Sequence, residues 1–274
     1  MKEKAFQILA IAAVIIATVS LMRPAGSAVL ESESALDHIR AAGEIRVCYI
    51  NYPPFTIQDA ATGKTSGIFP EAMMRIADRM GVSVRNVEST WATIVPDLTS
   101  RRCDVNAAGV FPLIERAYGG VIFTDPLGFI GNNGVVKDAD QRFDSIDDLN
   151  SADVTIAVTE GEQGHIYAQK YLPKATLNII SSADISLAFL DVQTGRADIA
   201  LADSLTIDLY FKEHPDSPLR VAFDEPYIKS GITWVVREDD TKALNFFNNA
   251  LGVLKANGDL GELFEKYNAE GYGL

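Results

Sequence analysis

The histidines and cysteines are the residues best suited to metal or nucleophilic chemistry. Their spacing along the sequence indicates whether they could form such a site. The three histidines, His38, His165 and His214, are scattered, and the sequence contains no CxxC pair. Zinc sites need such ligands at short, regular spacings. The sequence therefore predicts no metal site. Cys48 and Cys103 both lie in apolar, strand-like segments, so they form either one disulfide bond or two buried free thiols.

Motifs of nucleophilic and phosphate chemistry are also missing from the sequence. It has no glycine-rich loop followed by lysine and no GxSxG, and its serine, histidine and aspartate residues show no triad spacing. Solvated loop charge and helix capping are the expected roles of the acidic pairs Asp147-Asp148 and Asp239-Asp240. We therefore expect no catalytic residues and no cofactor.

The composition is that of an acidic globular protein with an export signal. The 274 residues carry a net charge of -13 and are 47% hydrophobic, which suits one large domain or two small ones. Acidic chains repel polyanions, so nucleic acid is not an expected partner. Residues 1–28 resemble a secretory signal peptide, with Lys2 and Lys4, an apolar run, and cleavage expected after Ala28. They predict a periplasmic protein; a retained membrane anchor is the alternative, because the apolar run approaches spanning length.

Strand and helix patterns alternate along the chain. EIRVCYI, SVRNVES and CDVNAAGV read as strands, and one intervening helix is predicted to begin at Gly67, with Pro70 in its first turn, and to end at Gly81. The pattern restarts with VTIAV, TLNIIS and ADIALAD. Such alternation predicts an α/β fold with mostly parallel strands. The predicted lobes are residues 29–130 together with 224–274, and residues 131–223.

Two segments, residues 123–140 and 223–240, have similar sequences one hundred residues apart. The matching positions are Phe123 and Phe223, Pro126 and Pro226, Gly131 and Gly231, and Asp140 and Asp240. A chain that leaves one lobe, builds a second and returns must cross the boundary twice, through two connecting strands. A single crossing would need one connector and would leave the C-terminal helices on the second lobe. We therefore predict a double crossing.

Several short motifs follow one another along essentially the whole mature chain: YPPF, STW, AAGVFPLIER, FTDP, TEGEQG, GRADIALAD and LKANGDLGELFEKY. Their order resembles that of the bacterial extracellular solute-binding proteins of family 3, the amino-acid-binding components of ABC importers. The resemblance implies the periplasmic-binding-protein type II fold, with two α/β lobes joined by a double-crossing hinge. It also implies a monomer that closes on an amino acid or related carboxylate and delivers it to an ABC permease.

The resemblance assigns ligand-binding roles to individual residues. Arg116 matches the arginine that holds the ligand's α-carboxylate, a task that suits a planar guanidinium with two parallel donors, and Asp203 matches the acid that binds the α-ammonium. Tyr52 and Trp91 match aromatic residues that cover the apolar part of the ligand, and the backbone at Gly109 would donate to the carboxylate. A solvated helix charge for Arg116 and a helix N-cap for Asp203 are the alternatives.

Three stretches depart from the family pattern. The first is a helix start that usually reads glycine, an apolar residue and an acid, and that here reads Gly67-Ile68-Phe69-Pro70-Glu71. Phe111 stands where a hydroxyl residue commonly touches the carboxylate, and Gly161-Glu162-Gln163 stands where small hydroxyl residues are common. Gln163 could still hydrogen-bond the ligand, and His165 could face the cleft, with a place on the helix surface as its alternative. These departures indicate a ligand larger, flatter or less typical than a simple polar amino acid.

A cyclohexadienyl dehydratase on the same fold is the alternative function. Such enzymes, which convert prephenate or arogenate, carry a glutamate shortly after the aspartate of the second lobe. Here Ser204, Leu205 and Thr206 follow Asp203, and the first acid is Asp208. The sequence therefore favours a binding protein over an enzyme. A periplasmic ligand sensor would use the same residues as a transport protein.

Overall fold

The structure, a computed structural model, describes residues 33–273. The predicted signal peptide, residues 1–28, lies outside these residues, as does the membrane anchor that is its alternative. None of the described helices is long and apolar enough to cross a membrane.

The first part of the chain alternates strands and helices as predicted. Its elements are α1 (Ala35–Ala42), β1 (Glu44–Tyr49), β2 (Ile57–Gln58), β3 (Thr65–Ser66), α2 (Ile68–Met80), β4 (Ser83–Glu88), α3 (Ile94–Thr99), β5 (Val105–Val110), α4 (Ile114–Tyr118), β6 (Val121–Phe123) and β7 (Gly128–Lys137). Helix α2 has the predicted ends. Pro70 lies in its first turn, and Gly81 terminates it in the left-handed conformation, at a φ of 70°.

The remaining elements build a second unit and then return to the first. They are a 3-10 helix (Ile146–Leu149), β8 (Thr155–Thr159), α5 (Gln163–Tyr171), β9 (Thr176–Ile180), α6 (Leu187–Thr194), β10 (Ile199–Asp203), α7 (Ser204–Glu213), β11 (Leu219–Val221), β12 (Ile228–Arg237), α8 (Thr241–Ala256), α9 (Asp259–Lys266) and a 3-10 turn (Glu270–Tyr272). Asp148 forms a capping box with Ser145, and Asp240 caps α8 through the N–H of Ala243. Helix capping thus accounts for one member of each acidic pair.

The strands form a mixed array in the order β4-β1-β5-β12-β7-β10-β8-β9, with β6 beside β12 and β11 beside β7. β1 runs parallel to β4 and β5, and β8 runs parallel to β9 and β10, so each half has a parallel core. The long strands β7 and β12 join the halves. β12 pairs antiparallel with β7 from Ile228 to Ile232, and then with β5 and β6 from Thr233 to Arg237.

The C-terminal helices confirm the double crossing. α8 packs on α1 and β12, and α9 packs on α2, so both lie with the first half of the chain. The buried carboxylate of Asp240 also accepts from Ser34 Oγ and from the backbone N–H of Ala35, at 2.7 and 2.6 Å. The chain therefore leaves the first lobe, builds the second and returns, as the repeated segments predict. The residue boundaries of the lobes stay a prediction.

The two repeated segments pack on each other reciprocally. Strand β7 of the first segment pairs antiparallel with β12 of the second. A Cβ on Gly131 would lie 2.6 Å from Cγ of Pro226, and a Cβ on Gly231 would lie 2.9 Å from Cβ of Pro126. The proline of each segment therefore occupies the space that a side chain on the other segment's glycine would need. This contact explains why both segments carry both residues.

Gly131→Ala should lower the free energy of unfolding by about 1–3 kcal/mol, because the added methyl group overpacks against a rigid proline ring. The matched control is Gly252→Ala in α8, where no atom outside the neighbouring helix backbone lies within 4 Å of the added Cβ. The control should stabilise the protein by up to about 1 kcal/mol, since alanine has the higher helix propensity. Urea unfolding measures both changes, and equal stability of the two variants would contradict the reciprocal packing.

Cys48 and Cys103 are joined by a disulfide bond, which decides the alternative that the sequence leaves open. Cys48 lies in β1 and Cys103 stands just before β5, and neither residue is exposed. The sequence separation is 55 residues, and the two Cα atoms are 5.6 Å apart. The bond ties β1 to the start of its parallel neighbour in the middle of the first lobe's sheet.

Candidate functional site

The predicted site residues lie where strands of the two halves end. Tyr52 follows β1, Phe111 follows β5 and Arg116 lies in α4, all in the first half. Asp203 ends β10 and Gln163 begins α5, both in the second half. All five residues are buried. Ligands of α/β folds bind outside the carboxyl ends of parallel strands. The region between the two halves where these five residues lie, called the cleft below, is therefore the candidate site.

Arg116 is a buried cation. The residue is 5% exposed, and its guanidinium donates from Nη1 to the carbonyl oxygen of Phe111, at 2.9 Å, and from Nη2 to that of Gly161, at 2.7 Å. Among residues 33–273 no acid forms an ion pair with it, and the neighbouring Glu115 binds Lys170 instead, at 2.6 Å. Burial lowers the pKa of Arg116 to about 10. The alternative of a solvated helix charge is therefore wrong, and the guanidinium keeps N–H donors for an anion.

Asp203 is fully buried and caps a helix. Its Oδ1 accepts from the backbone N–H of Thr206, at 2.9 Å, and its Oδ2 accepts from the Thr206 hydroxyl, at 2.6 Å. Burial raises the pKa of Asp203, while the hydrogen bonds from Thr206 oppose the rise. In the part of the chain that the structure describes, no basic side chain pairs with it. The N-cap alternative is thus correct, and each oxygen keeps a lone pair that can accept from a ligand.

Glu162 is a third buried charged group at the site, and it is not among the residues predicted from the sequence. The residue is 1% exposed, and its Oε2 accepts from the backbone N–H of Gly164, at 2.6 Å. Its Oε1 has no hydrogen-bond partner among the described residues. Burial and the nearby charge of Asp203 raise the pKa of Glu162 to about 7. The available sequence signal was an acid in a short loop between a buried strand and a helix.

Tyr52 and Trp91 contact each other at the edge of the site. Their rings meet edge to face, with centroids 5.2 Å apart. Trp91 Nε1 donates across the cleft to the carbonyl oxygen of Ala183, at 3.1 Å. The hydroxyl of Tyr52 lies near Asp203 and lowers the pKa of that carboxyl, but it makes no hydrogen bond of normal geometry within residues 33–273. It is therefore available to a ligand.

Gln163 is held at both ends of its side-chain amide. Its Nε2 donates to Ser230 Oγ at 2.9 Å, and its Oε1 accepts from Nδ2 of Asn132 at 3.2 Å. Asn132 stands opposite Asp203 in the β7–β10 ladder, and its Oδ1 is buried without a partner among the described residues. The acceptor that a ligand donor could use is therefore Oδ1 of Asn132 rather than the amide of Gln163. Asn132 was not predicted from the sequence.

Gly109 and Phe111 lie directly before the helix that carries Arg116. Gly109 has a φ of 77°, and the ring of Phe69 lies 2.7 Å from the position of a Cβ. The backbone conformation and this close approach both require glycine. The carbonyl oxygen of Phe111 accepts from Arg116, and its ring is buried. The carbonyl oxygen of Phe111 thus helps to fix the guanidinium, while Gly109 permits the close approach of the Phe69 ring.

Contacts across the cleft hold the two halves closed. Besides the hydrogen bonds of Arg116 and Trp91, the backbone of Gly161 packs against that of Ala92, so that a Cβ on Gly161 would lie 2.5 Å from the Ala92 nitrogen. The N–H of Gly161 donates to Nδ1 of His165 at 3.0 Å, and burial lowers the pKa of this histidine. His165 is therefore a half-buried neutral acceptor that positions the loop.

This arrangement can bind a small molecule that carries both an anionic and a cationic group. Arg116 offers a buried cation, while Asp203 and Glu162 offer buried anions. Buried charges without partners are costly, and ligand charges of opposite sign would compensate them. Within residues 33–273, no cluster of three or more histidine, cysteine or acidic side chains could hold a metal ion.

The fold and the cleft define a two-lobed protein of the type II periplasmic-binding class, and solved structures share this fold. An ancestral amino-acid-binding protein, described as a precursor of cyclohexadienyl dehydratase, has a TM-score of 0.74 and 31% identity, over 86% of this chain and 99% of that one. A mutant of the arginine-binding protein of T. maritima has a TM-score of 0.75 and 31% identity, over 86% and 100%.

Residues 45–270 match the sequence profile of the bacterial extracellular solute-binding proteins, family 3, and the chain belongs to this family. A probable amino-acid ABC transporter-binding protein of Haemophilus influenzae is 27% identical over 212 residues, 77% of this chain and 79% of that protein. The cyclohexadienyl dehydratase of Pseudomonas aeruginosa is 25% identical over 197 residues, 70% of this chain and 71% of that protein. The family and the fold class predicted from the motifs are thus confirmed.

Proposed function

We propose that this protein is a periplasmic solute-binding protein that captures a small amino acid or related carboxylate and delivers it to the permease of an ABC transporter. The observation that carries the proposal is that Arg116 and Asp203 are both buried and both lie close enough to Glu162 for their charges to act on its pKa. The α-carboxylate of an amino acid would bind the guanidinium, and its α-ammonium would bind Asp203. Relatives named as probable amino-acid-binding proteins of ABC transporters support this function.

The other predicted site residues have matching roles in the proposed binding mode. Tyr52 and Trp91 cover the apolar part of the ligand. The backbone at Gly109 and the carbonyl-bonded Phe111 border the carboxylate beside the guanidinium. Gln163 holds the side chain of Asn132 so that its Oδ1 remains open to a ligand donor.

In this binding mode the ligand stabilises the closed form of the two lobes. In the proposed division, Arg116 belongs to lobe one (residues 29–130 with 224–274) and Asp203 to lobe two (residues 131–223). One amino acid contacts both side chains only when the cleft is shut, so its binding favours the closed form. We place the mature protein in the periplasm as a monomer; a sensor would differ from a transport protein in its membrane partner.

A thermal-shift screen tests the proposal. The mature protein is refolded from denaturant to remove carried ligand and is then heated with each standard amino acid, with simple carboxylates and with prephenate. Ligand at a hundred times its dissociation constant adds about 2.7 kcal/mol, which raises the Tm by several degrees. A shift with a group of amino acids is the expected result. A screen in which no amino acid shifts the Tm would contradict the proposed function.

Asp203→Asn should weaken amino-acid binding by roughly 10- to 100-fold, because a hydrogen bond to a charged group contributes about 1.5–3 kcal/mol. The amide oxygen of asparagine can still accept from the N–H of Thr206, so the helix cap is kept. Isothermal titration gives the affinity, and thermal unfolding without ligand checks the fold. Retained affinity would place the ammonium site elsewhere.

A dehydratase is the second candidate function, and Glu162 is the observation that favours it. A carboxyl group with a pKa of about 7 suits the protonation of a hydroxyl group that leaves as water. Asp208, the first acid after Asp203, bonds instead to the hydroxyl of Tyr272. Incubation with prephenate or arogenate, with ultraviolet detection of an aromatic product, tests this candidate; turnover that Glu162→Gln abolishes would establish it.

A further inference from the structure

The buried charges of the closed cleft do not balance. Arg116 carries one positive charge, while Asp203 and Glu162 are two buried acids. Neither acid forms an ion pair with a basic side chain among residues 33–273; the charge of Arg116 reaches Glu162 only through space. An amino acid without an ionised side chain brings one negative and one positive charge. Its binding would compensate Arg116 and Asp203 and leave Glu162 without a counterion.

Glu162 has one carboxylate oxygen in use and one without a partner. Oε2 caps α5 through the N–H of Gly164, which fixes the direction of the side chain. Oε1 is buried and lacks a donor among the described residues. A buried acceptor without a donor costs about 1–3 kcal/mol, and more when it is charged. A ligand donor at Oε1 would remove this cost.

We propose that Glu162 is a specificity-determining residue, which makes the cleft selective for amino acids that carry a second cationic group. The inference rests on the proposed function and names its substrate class. The ligand's carboxylate binds Arg116, its α-ammonium binds Asp203, and its second cation binds Oε1 of Glu162. Every buried charge is then paired, as buried charges in proteins generally are.

The ionisation of Glu162 provides a second test of the proposal, which is the release of a proton when the ligand binds. The titratable and charged groups that act on it or feel its charge are Asp203 of β10, Arg116 of α4, and the hydroxyls of Tyr52 and Tyr227. Without ligand its pKa is about 7, so at pH 6 the carboxyl is mostly protonated. A cation at Oε1 favours the charged form and lowers this pKa. Binding at pH 6 should therefore release most of one proton, and binding above pH 8 should release almost none.

The test compares L-arginine and L-ornithine with L-citrulline, which has a similar shape to arginine and a neutral side chain. Isothermal titration at pH 8 should give a preference of roughly 10- to 100-fold for the two cations in the natural protein. Glu162→Gln should remove most of this preference and change citrulline affinity by less than about threefold. Glutamine keeps an oxygen for the N–H of Gly164, and thermal unfolding without ligand verifies that the helix cap is retained.

Titrations at pH 6 in two buffers of different ionisation enthalpy measure the proton release, which Glu162→Gln should abolish. If citrulline bound as tightly as arginine, the proposed selectivity for a second cationic group would be wrong, while the proposed function would still stand. An equal loss of all three ligands in Glu162→Gln would also overturn it, since the residue would then act on the fold or on the common part of the ligand. A screen in which no amino acid binds would overturn both proposals.

Discussion

Arg116→Ala should reduce the affinity for the amino-acid ligand by roughly 30-fold to several thousand-fold. Truncating one partner of a buried, hydrogen-bonded charge pair costs about 2–5 kcal/mol, and here the ligand carboxylate would enter the closed cleft without a counterion. The stability of the ligand-free protein should change little. The variant loses two hydrogen bonds, to Phe111 and Gly161, but it also loses a buried charge. Isothermal titration and ligand-free thermal unfolding measure the two effects.

Arg116→Lys is the matched control for this prediction. It keeps a positive charge but replaces the planar fork by a single point charge, so it should recover part of the lost affinity. Affinity in Arg116→Ala equal to that of the natural protein would show that the carboxylate binds elsewhere. Full recovery in Arg116→Lys would show that charge, rather than bidentate geometry, holds the carboxylate.

Removing the disulfide with the double change Cys48→Ala and Cys103→Ala should lower the free energy of unfolding by about 4 kcal/mol. The estimate follows from the chain entropy that a bond across this sequence separation, 55 residues, removes from the unfolded state. For a domain of this size, the Tm should fall by roughly 8–16 °C. Calorimetry measures the shift.

The natural protein in the presence of a thiol reductant is the control for the double variant. Once reduced, it should unfold near the temperature of the double variant, because both lack the covalent link. An unchanged Tm in the double variant would show that the bond contributes nothing beyond the packing of β1 against β5.

The fold could be predicted from sequence because its signals are local and repeated. Glycine and proline mark the ends of α2, apolar runs mark the buried strands, and the two similar segments indicate the double crossing. The charged site could be predicted only in part. Arg116 and Asp203 stand at motif positions, whereas Glu162 and Asn132 became visible through burial and unpaired atoms, which depend on how distant strands meet. The partners of Gln163 depend in the same way on side-chain orientation across β7 and β12.

The reciprocal packing of Gly131 on Pro226 and of Gly231 on Pro126 gives the strands β7 and β12 a pseudo-twofold axis. Sliding one strand along the other would press a proline ring into a glycine backbone at both contacts, so the two-stranded ribbon resists shear. If both strands bend equally, out of the plane of the ribbon, the pseudo-twofold symmetry and both glycine–proline contacts are kept. Opening of the cleft should therefore proceed as a bend about a single axis perpendicular to the strands, with little twist between the lobes.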